Sequence, residues 1–366
     1  MKILALEPYF GGSHRAFLEG LAQNSCHEWT LLTGPAVHWK WRMRCSPLDF
    51  AEKVSQHIER AGLPDAILCS DMLDVPGWLG CMAAQNRLTE ICQLPIVTYF
   101  HESQWTYPTS PHARVDFHYG YTNLLTALTS RENWFNSNHH LSCFLEHSES
   151  FVRRMPDSKS VHDFQLLRDK CHVFPPGFEP PRDLPPRNEA NPELTIGWVS
   201  RWEYDKRPDL FLRLLETLVE RGVAFRLMLL GGRQESCVEL QAVRSKFQHL
   251  ISVDQYADDR DSYWQSLGKM DVVVSTADHE FFGIAVCEAI HAGAVPVLPN
   301  RLSYPELVPN EFLYETIDEA ASQIQELQDE HVRRGRASIA KANIQPLQLS
   351  GTANAIDQAF LRLAKR

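Results

Sequence analysis

No apolar run in the sequence approaches the roughly 20 residues that a bilayer-spanning helix requires, so a helical membrane span is not expected. There is no Cys-x-x-Cys pair, and the nine cysteines are odd in number and scattered. They read as reduced thiols, not as a disulfide framework or a zinc site. Positive charge is not in excess either: 36 Lys and Arg against 46 Asp and Glu leave a net charge of −10. No global basic field draws in nucleic acid, so any RNA contact must rest on a local patch. Internal repeats and low-complexity segments are missing. Among 16 histidines there is no HxxxH pair and no His/Cys cluster with ligand spacing, and Asp258, Asp259 and Asp261 make no persuasive ion site. No metal and no cofactor is expected. The start, MKILALEPYFGGSHR, has too short an apolar stretch for a signal peptide before it turns polar, which points to the cytoplasm.

What the chain does have is length and apolar content for two cores, with 366 residues and 44% hydrophobic composition. Strand-like runs KILALEP (2–8), WTLLTG (29–34), DAILCSD (65–71), PIVTYFHE (95–102), ENWFNS (132–137) and HVFPPG (172–177) alternate with helical stretches. That alternation is the signature of parallel strands joined by helical crossovers. The Pro-rich stretch PPRDLPPRNEANP (180–192) interrupts it, and a second alternating series starts at Glu193. The division read from this is 1–185 for a first domain, 186–192 for a linker, 193–347 for a second domain, and 348–366 for a closing amphipathic helix.

In the second domain, Glu280-Phe281-Phe282-Gly283-Ile284-Ala285-Val286-Cys287-Glu288 lies between the apolar runs DVVVSTA (271–277) and HAGAVPVLP (291–299). The order is strand, loop, helix, strand. Glu280 then sits on the loop and Glu288 about one turn inside the helix, with the amides of Phe282, Gly283 and Ile284 at its N-terminus, where an anion is favoured. Glu280 suits sugar hydroxyls and Glu288 the two hydroxyls of a ribose. Upstream, ELTIGWVSRWEYDKRPDLFLRLLETL (193–218) reads as buried strand, loop and amphipathic helix, with Pro208 in the first helical turn. Arg201 and Lys206 in that loop are placed to neutralise a diphosphate at the carboxyl end of a parallel strand. A solvated loop and an ordinary mid-helix Glu would have to coincide to mimic this pair of motifs.

Together the two motifs resemble retaining glycosyltransferases of the GT-B fold, family 4 in particular. The resemblance implies an α/β protein of two Rossmann-like, doubly wound domains facing a central cleft, its C-terminal helix crossing back to the first domain. It also implies that Arg201 and Lys206 bind the donor diphosphate, that Glu280 and Glu288 bind donor sugar and ribose, and that the 282–284 amides lie beside the donor.

The first domain offers Gly11-Gly12-Ser13-His14, which follows the first strand and opens a helix, so that backbone can approach a ligand closely. A turn that simply needs glycine gives the same pattern. His101 and Glu102 end the fourth strand, where open α/β sheets bind ligands. Five blocks in order, EPYFGGSHRAFLEGL (7–21), WKWRMR (39–44), FHESQWTYP (100–108), DFHYGYTNLLTAL (116–128) and FNSNHHLSCFL (135–145), resemble the tRNA-queuosine mannosyltransferases. That family implies transfer of mannose from GDP-mannose to the cyclopentenediol of queuosine at the tRNA wobble position. The partners expected are a queuosine-containing tRNA and a nucleotide-sugar, with no membrane.

Trp39, Lys40, Trp41, Arg42 and Arg44 interleave cations with indoles, a pattern suited to phosphates and unstacked anticodon-loop bases. The plain alternative is an edge strand with a basic face. With Ser13, His14, Glu102, Gln104 and Tyr107, these form the expected acceptor side; Gly11 and Gly12 are assigned to the donor. A second basic stretch, Arg153, Arg154, Lys159, Arg168 and Lys170, is diluted by Asp157, Asp163 and Asp169 and reads as a solvated loop. His139 and His140 read as caps of a helix start. The reaction expected is front-face, with Arg201, Lys206 and Glu280 at the donor and His101 orienting the sugar or acceptor hydroxyl or acting as base. Two other classes stay open: a transferase of the same plan acting on lipid or polysaccharide, and a non-catalytic RNA-binding protein on this scaffold.

Overall fold

A computed structural model describes residues 1–107, 116–157, 164–183, 193–201, 203–231, 238–255, 257 and 259–365. The segment expected as a linker, 186–192, lies outside the described residues, as do Lys159, Asp163 and Asp258. The chain divides into two compact units. One is Met1–Gly177 with Leu349–Arg366, and the other is Phe178–Gln348.

The first unit is built on a parallel sheet of six strands: β1 (Lys2–Phe10), β2 (Glu28–Pro35), β3 (Ala66–Ser70), β4 (Ile96–Phe100), β5 (Glu132–Phe135) and β6 (Cys171–Val173). Their spatial order is β2-β1-β3-β4-β5-β6, with Leu4 opposite Thr30 on one side and Ile67 on the other. Ile3–Leu6 of β1 are buried on both faces, which is why they read as an unbroken apolar run. Their side chains alternate between two cores. Ile3 and Ala5 pack with Phe17, Leu18 and Leu21 of helix Gly12–Asn24 and with Ala353, Ile356 and Phe360 of helix Leu349–Ala364. Leu4 and Leu6 pack on the other face with Phe50, Ala51, Val54 and Ile58 of helix Trp39–Ala61.

The second unit repeats the plan with β7 (Leu194–Val199), β8 (Phe225–Leu230), β9 (Ile251–Gln255), β10 (Val272–Val274), β11 (Val295–Pro299) and β12 (Leu313–Tyr314), ordered β12-β11-β10-β7-β8-β9. All the pairs are parallel. Two residues give β12 too little length for any sequence periodicity. In both sheets the strand order reverses beside the first strand of the unit, next to β1 and next to β7. Open α/β sheets bind ligands at the carboxyl ends of strands at such a reversal.

One local expectation and one alternative are corrected. Residues 39–44 do not form the edge strand weighed as the alternative there; they are the first turns of a helix that starts at Trp39, after His38 in a left-handed conformation (φ 53°). Polar and apolar residues over 39–61 recur with helical spacing, and the buried positions 43, 46, 47, 50, 54 and 58 lie on one face. His139 and His140 do not cap helix Asn138–Arg153; Ser137 does, its side chain accepting from the His140 N–H.

The C-terminal helix is tied to this unit by charge as well as by packing. Asp357 accepts from Ser25 Oγ at 2.5 Å and from the Cys26 N–H at 2.7 Å. Arg362 reaches Glu132 at 2.8 Å. Burial opposes the Glu132 charge, yet hydrogen bonds from His172 and Trp134 and the charges of His172 and Arg362 outweigh it and hold the carboxyl down at about 2. A depressed carboxyl contributes stability above its unfolded value of 4.5 that is lost as the pH falls towards 2. Glu132→Gln is therefore expected to lower the urea midpoint at pH 7, and the gap to wild type should shrink steadily from pH 5 to pH 3. A gap that stays constant over that range would refute the assignment.

Candidate active site

At the reversal in the second sheet, β7 ends at Val199 and leads into a loop with a 3-10 turn at Tyr204–Lys206. Pro208 starts the next helix at its first turn. Lys206 is buried, and its Nζ donates to the His279 carbonyl at 2.6 Å. The same Nζ lies 3.3 Å from Glu280 Oε2 and 3.4 Å from Asp205 Oδ2. Strand β10 is the other strand flanking the reversal, and its loop carries Glu280. Desolvation opposes the charge on Glu280, but Lys206, the Phe282 N–H and His279 outweigh it and lower the carboxyl below its ordinary range.

Gly283 precedes helix Ile284–His291 at φ 99°, a conformation that side-chain-bearing residues rarely adopt, with Leu307 and Tyr304 closing around it. The Phe282 amide is engaged by Glu280 Oε1 at 3.4 Å. Gly283 and Ile284 bring two further amides to the first turn, where N–H groups lack partners within the helix. Glu288, in the second turn, is buried; it accepts from Tyr263 Oη at 2.8 Å and lies 3.4 Å from Arg260 Nη2. Burial pushes its carboxyl up, against the pull of Arg260 and Tyr263.

The structure thus joins Lys206 to Glu280 directly. Arg201 follows the same strand but is more than half exposed and faces Glu203 at 3.5 Å. Asp205, Arg260 and Tyr263 were not singled out from the sequence. No local pattern marks them, because they reach Lys206 and Glu288 through turns and a neighbouring helix.

At the reversal in the first sheet, Gly11 caps helix Gly12–Asn24, and a Cβ on Gly11 would strike Ala36 at 2.3 Å. Gly12 sits at φ 52° and leaves open space around it. In the first turn His14 is buried, its Nδ1 2.9 Å from Glu7 Oε2, and its ring stacks on His101 with centroids 3.9 Å apart. Glu7 Oε1 accepts from the Tyr9 N–H at 2.9 Å and from Ser70 Oγ at 3.0 Å. Burial alone would lower the His14 value, but Glu7, then Asp71 and Glu102, raise it to about 9. His101 is held well below the ordinary range by burial first, and then by His14 and His140. Asp71 follows β3; burial pushes it up to about 7, with His14 pulling down and Glu102 and Glu7 adding to the rise.

Glu7 and Asp71 are functional candidates that the sequence reading missed. The signal was there: a carboxylate inside an apolar strand run is rarely buried without a purpose. The described residues also bring ligand atoms of Glu7, His14 and His101, and of Cys26, His27 and Asp357, within 4.8 Å of one another. Sequence spacing could not reveal either group, since each draws on distant segments.

Around the start of helix Trp39–Ala61, Trp39 packs on Tyr119 at 5.1 Å and Tyr107 at 6.0 Å. Lys40 lies over Trp39 at 5.5 Å, and Arg44 over Tyr119 at 5.1 Å. Trp41 is 61% exposed and stands out from this cluster. Arg42 is partly buried, with an Nε that has no hydrogen-bond partner among the described residues. Gln104 is buried, whereas Ser13 is exposed and Glu102 half-buried. In the second basic stretch, Arg153 and Arg168 both face Glu149, and Lys170 is tied to the Leu128 and Ser130 carbonyls.

Against known proteins, residues 2–178 match the N-terminal model of tRNA-queuosine alpha-mannosyltransferases, and residues 157–342 match a family 4 glycosyltransferase of conflict systems. The whole-chain fold is like that of Anabaena HepE crystallised with UDP (TM-score 0.68, 17% identity, covering 99% of this chain and 100% of that one). It is also like sucrose-phosphate synthase from Thermosynechococcus elongatus (TM-score 0.71, 15% identity, 99% of both chains). These likenesses establish the GT-B plan. A tRNA-queuosine alpha-mannosyltransferase of Drosophila melanogaster is 34% identical over 330 residues, which cover 86% of this chain and 83% of that one. This chain belongs to the tRNA-queuosine alpha-mannosyltransferase family.

Proposed function

We propose that the chain is a retaining glycosyltransferase that moves mannose from GDP-mannose to a hydroxyl of the cyclopentenediol of queuosine at the tRNA wobble position. The observation that carries the reading is the Lys206–Glu280 pair at the reversal of the second sheet, on a chain of this family. A buried cation held by a carbonyl and two carboxylates is preorganised, so it needs no rearrangement when charge develops on a leaving diphosphate. Lys206 and Arg201 take the diphosphate, with the Gly283 and Ile284 amides beside it. Glu280 takes the sugar hydroxyls, and Glu288 takes the ribose, to which Tyr263 and Arg260 hold it ready.

The donor and acceptor halves of the reaction fall to different units. On the first unit, His101 orients the attacking hydroxyl, and the leaving phosphate takes its proton as the new glycosidic bond forms on the same face. The anticodon arm is held by Lys40 and Arg44, with Trp39, Trp41 and Tyr107 offering faces on which bases stack. Arg42, Ser13, Glu102 and Gln104 line the acceptor side, and Gly11 and Gly12 let backbone approach the donor. Cationic side chains serve the diphosphate, so no metal is required, and the reaction is proposed to run in the cytoplasm.

Incubation with queuosine tRNA and a panel of nucleotide-sugars, followed by digestion and mass analysis of the nucleosides, tests the reading directly. Mannosylated queuosine is the expected product. Arg201→Ala and Lys206→Ala should each cost about 2–4 kcal/mol at the transition state, or roughly 10²- to 10³-fold in rate. Thermal melting should accompany the second variant, because it leaves Asp205 and Glu280 without their shared cation. Full activity in either variant would sink the donor assignment.

Glu288→Gln should weaken donor binding in calorimetry while leaving tRNA affinity alone, and unchanged donor affinity would contradict the ribose role. A chelator should leave the rate unaltered; abolition with rescue by magnesium would overturn the metal-free mechanism.

Changing Lys40 and Arg44 together to Ala should weaken tRNA binding and flatten its salt dependence, without effect on the donor. A tRNA with guanine at the wobble position should bind with similar salt dependence yet accept no sugar. Transfer to it would refute queuosine as acceptor.

A further inference from the structure

The first sheet's reversal holds more buried charge than binding a hydroxyl needs. Glu7 is fully buried inside β1, and three donors converge on its carboxylate: His14 Nδ1 at 2.9 Å, the Tyr9 N–H at 2.9 Å and Ser70 Oγ at 3.0 Å. A carboxylate this deep is costly unless it is paired and hydrogen-bonded. Here both of its oxygens are held, and one of them faces an imidazole. The imidazole is stacked on a second one, His101, with ring planes 30° apart. Stacked rings keep their nitrogen atoms in neighbouring planes, so two imidazole edges lie side by side and can hydrogen-bond to adjacent groups of one ligand.

Resting on the transferase reading above, we propose that Glu7 is a positioning residue: it holds His14 as a charged donor at both ring nitrogens and thereby keeps the stacked His101 a neutral acceptor, so that the pair presents one donor and one acceptor to the hydroxyls of a diol. The physical reason is that two imidazolium rings in contact repel, so when Glu7 fixes the charge on one it excludes charge from the other. The class of ligand follows. Neighbouring hydroxyls on a ring each donate and accept, and a donor beside an acceptor matches such a pair, whereas a phosphate would have no use for the acceptor.

Other charged and titratable groups face the pair from each element packed on it. Asp71 after β3 and Glu102 after β4 support the His14 charge, while His140 from helix Asn138–Arg153 acts on His101. Tyr9 and Tyr99 meet His14 and His101 edge-on and tilted, at 6.1 and 4.7 Å. Asp71 is buried, and its Oδ1 has no hydrogen-bond partner among the described residues.

A raised histidine value carries a sign: the charged donor is complete below the raised value and is lost as the pH climbs through about 9. The test uses the full-length protein labelled with ¹⁵N in its histidine rings. In wild type, both His14 nitrogens should show protonated shifts at pH 7.5 and lose them near pH 9, while His101 stays neutral from pH 6 upward. Glu7→Gln keeps an acceptor for Ser70 and the Tyr9 N–H but turns an amide towards His14. One His14 nitrogen should then show an unprotonated shift at pH 7.5.

In sugar transfer, Glu7→Gln should lower kcat on the order of tenfold through loss of a charge-assisted contact, with the donor KM unchanged. The wild-type fall in rate above pH 9 should be missing from its profile. Ser70→Ala, which leaves the Glu7–His14 contact in place, should keep the His14 shifts of wild type. The wild-type titration needs no variant, so it decides even if Glu7→Gln fails to fold. A neutral His14 at pH 7.5, or a Glu7→Gln enzyme with the wild-type pH profile, overturns the proposal. If queuosine tRNA accepts no sugar while the ring shifts are as expected, the acceptor reading fails and the charge pair stands.

Discussion

Both units gather buried charge where a parallel sheet changes direction. When strand order reverses, the connections on either side leave towards opposite faces and open a gap at the carboxyl ends. In the second unit the gap lies between β7 and β10, and the loops after those two strands carry Lys206 and Glu280. In the first it lies between β1 and β3; His14 is in the helix that follows β1, Asp71 follows β3, and His101 comes directly after β4. Two sheets with different strand orders reach the same solution, because the constraint comes from parallel pairing and not from any particular sequence.

The electrostatic designs of the two gaps differ. Around Lys206 a buried cation is held in place by two carboxylates and a carbonyl. Around His14 one carboxylate fixes one ring's charge and denies it to the ring beside it. Buried ion pairs contribute little net stability. Their presence in strand ends that could have been apolar is better understood as positioning of charge than as reinforcement of the fold.

Much of this was legible in the sequence, for identifiable reasons. Buried parallel strands read as apolar runs, so β1, β3, β4, β7 and β8 announce themselves, and Lys206 and Glu280, which the structure brings together, each follow such a run. β12 did not, because two residues carry no period. Residues 39–44 read as a basic patch or an edge strand; only the apolar spacing beyond them marks the helix that the structure shows. The Glu7–His14–His101 contact joins residues up to ninety-four positions apart (101 − 7), a pairing no local pattern encodes. Arg260 and Tyr263 escaped notice for the same reason, since only the packing of their helix brings them to Glu288.

The closing helix Leu349–Ala364 supplies Ala353, Ile356, Ala359, Phe360 and Leu363 to the same core as Ile3, Phe17 and Trp134. The ribosome makes those five residues only after the entire second unit has been translated. The first unit therefore begins synthesis first but completes its core last, and the intervening unit can fold while its host still has an exposed apolar face. Such an arrangement makes the second unit an insertion in its neighbour, and ties completion of the first unit's core to prior synthesis of the second.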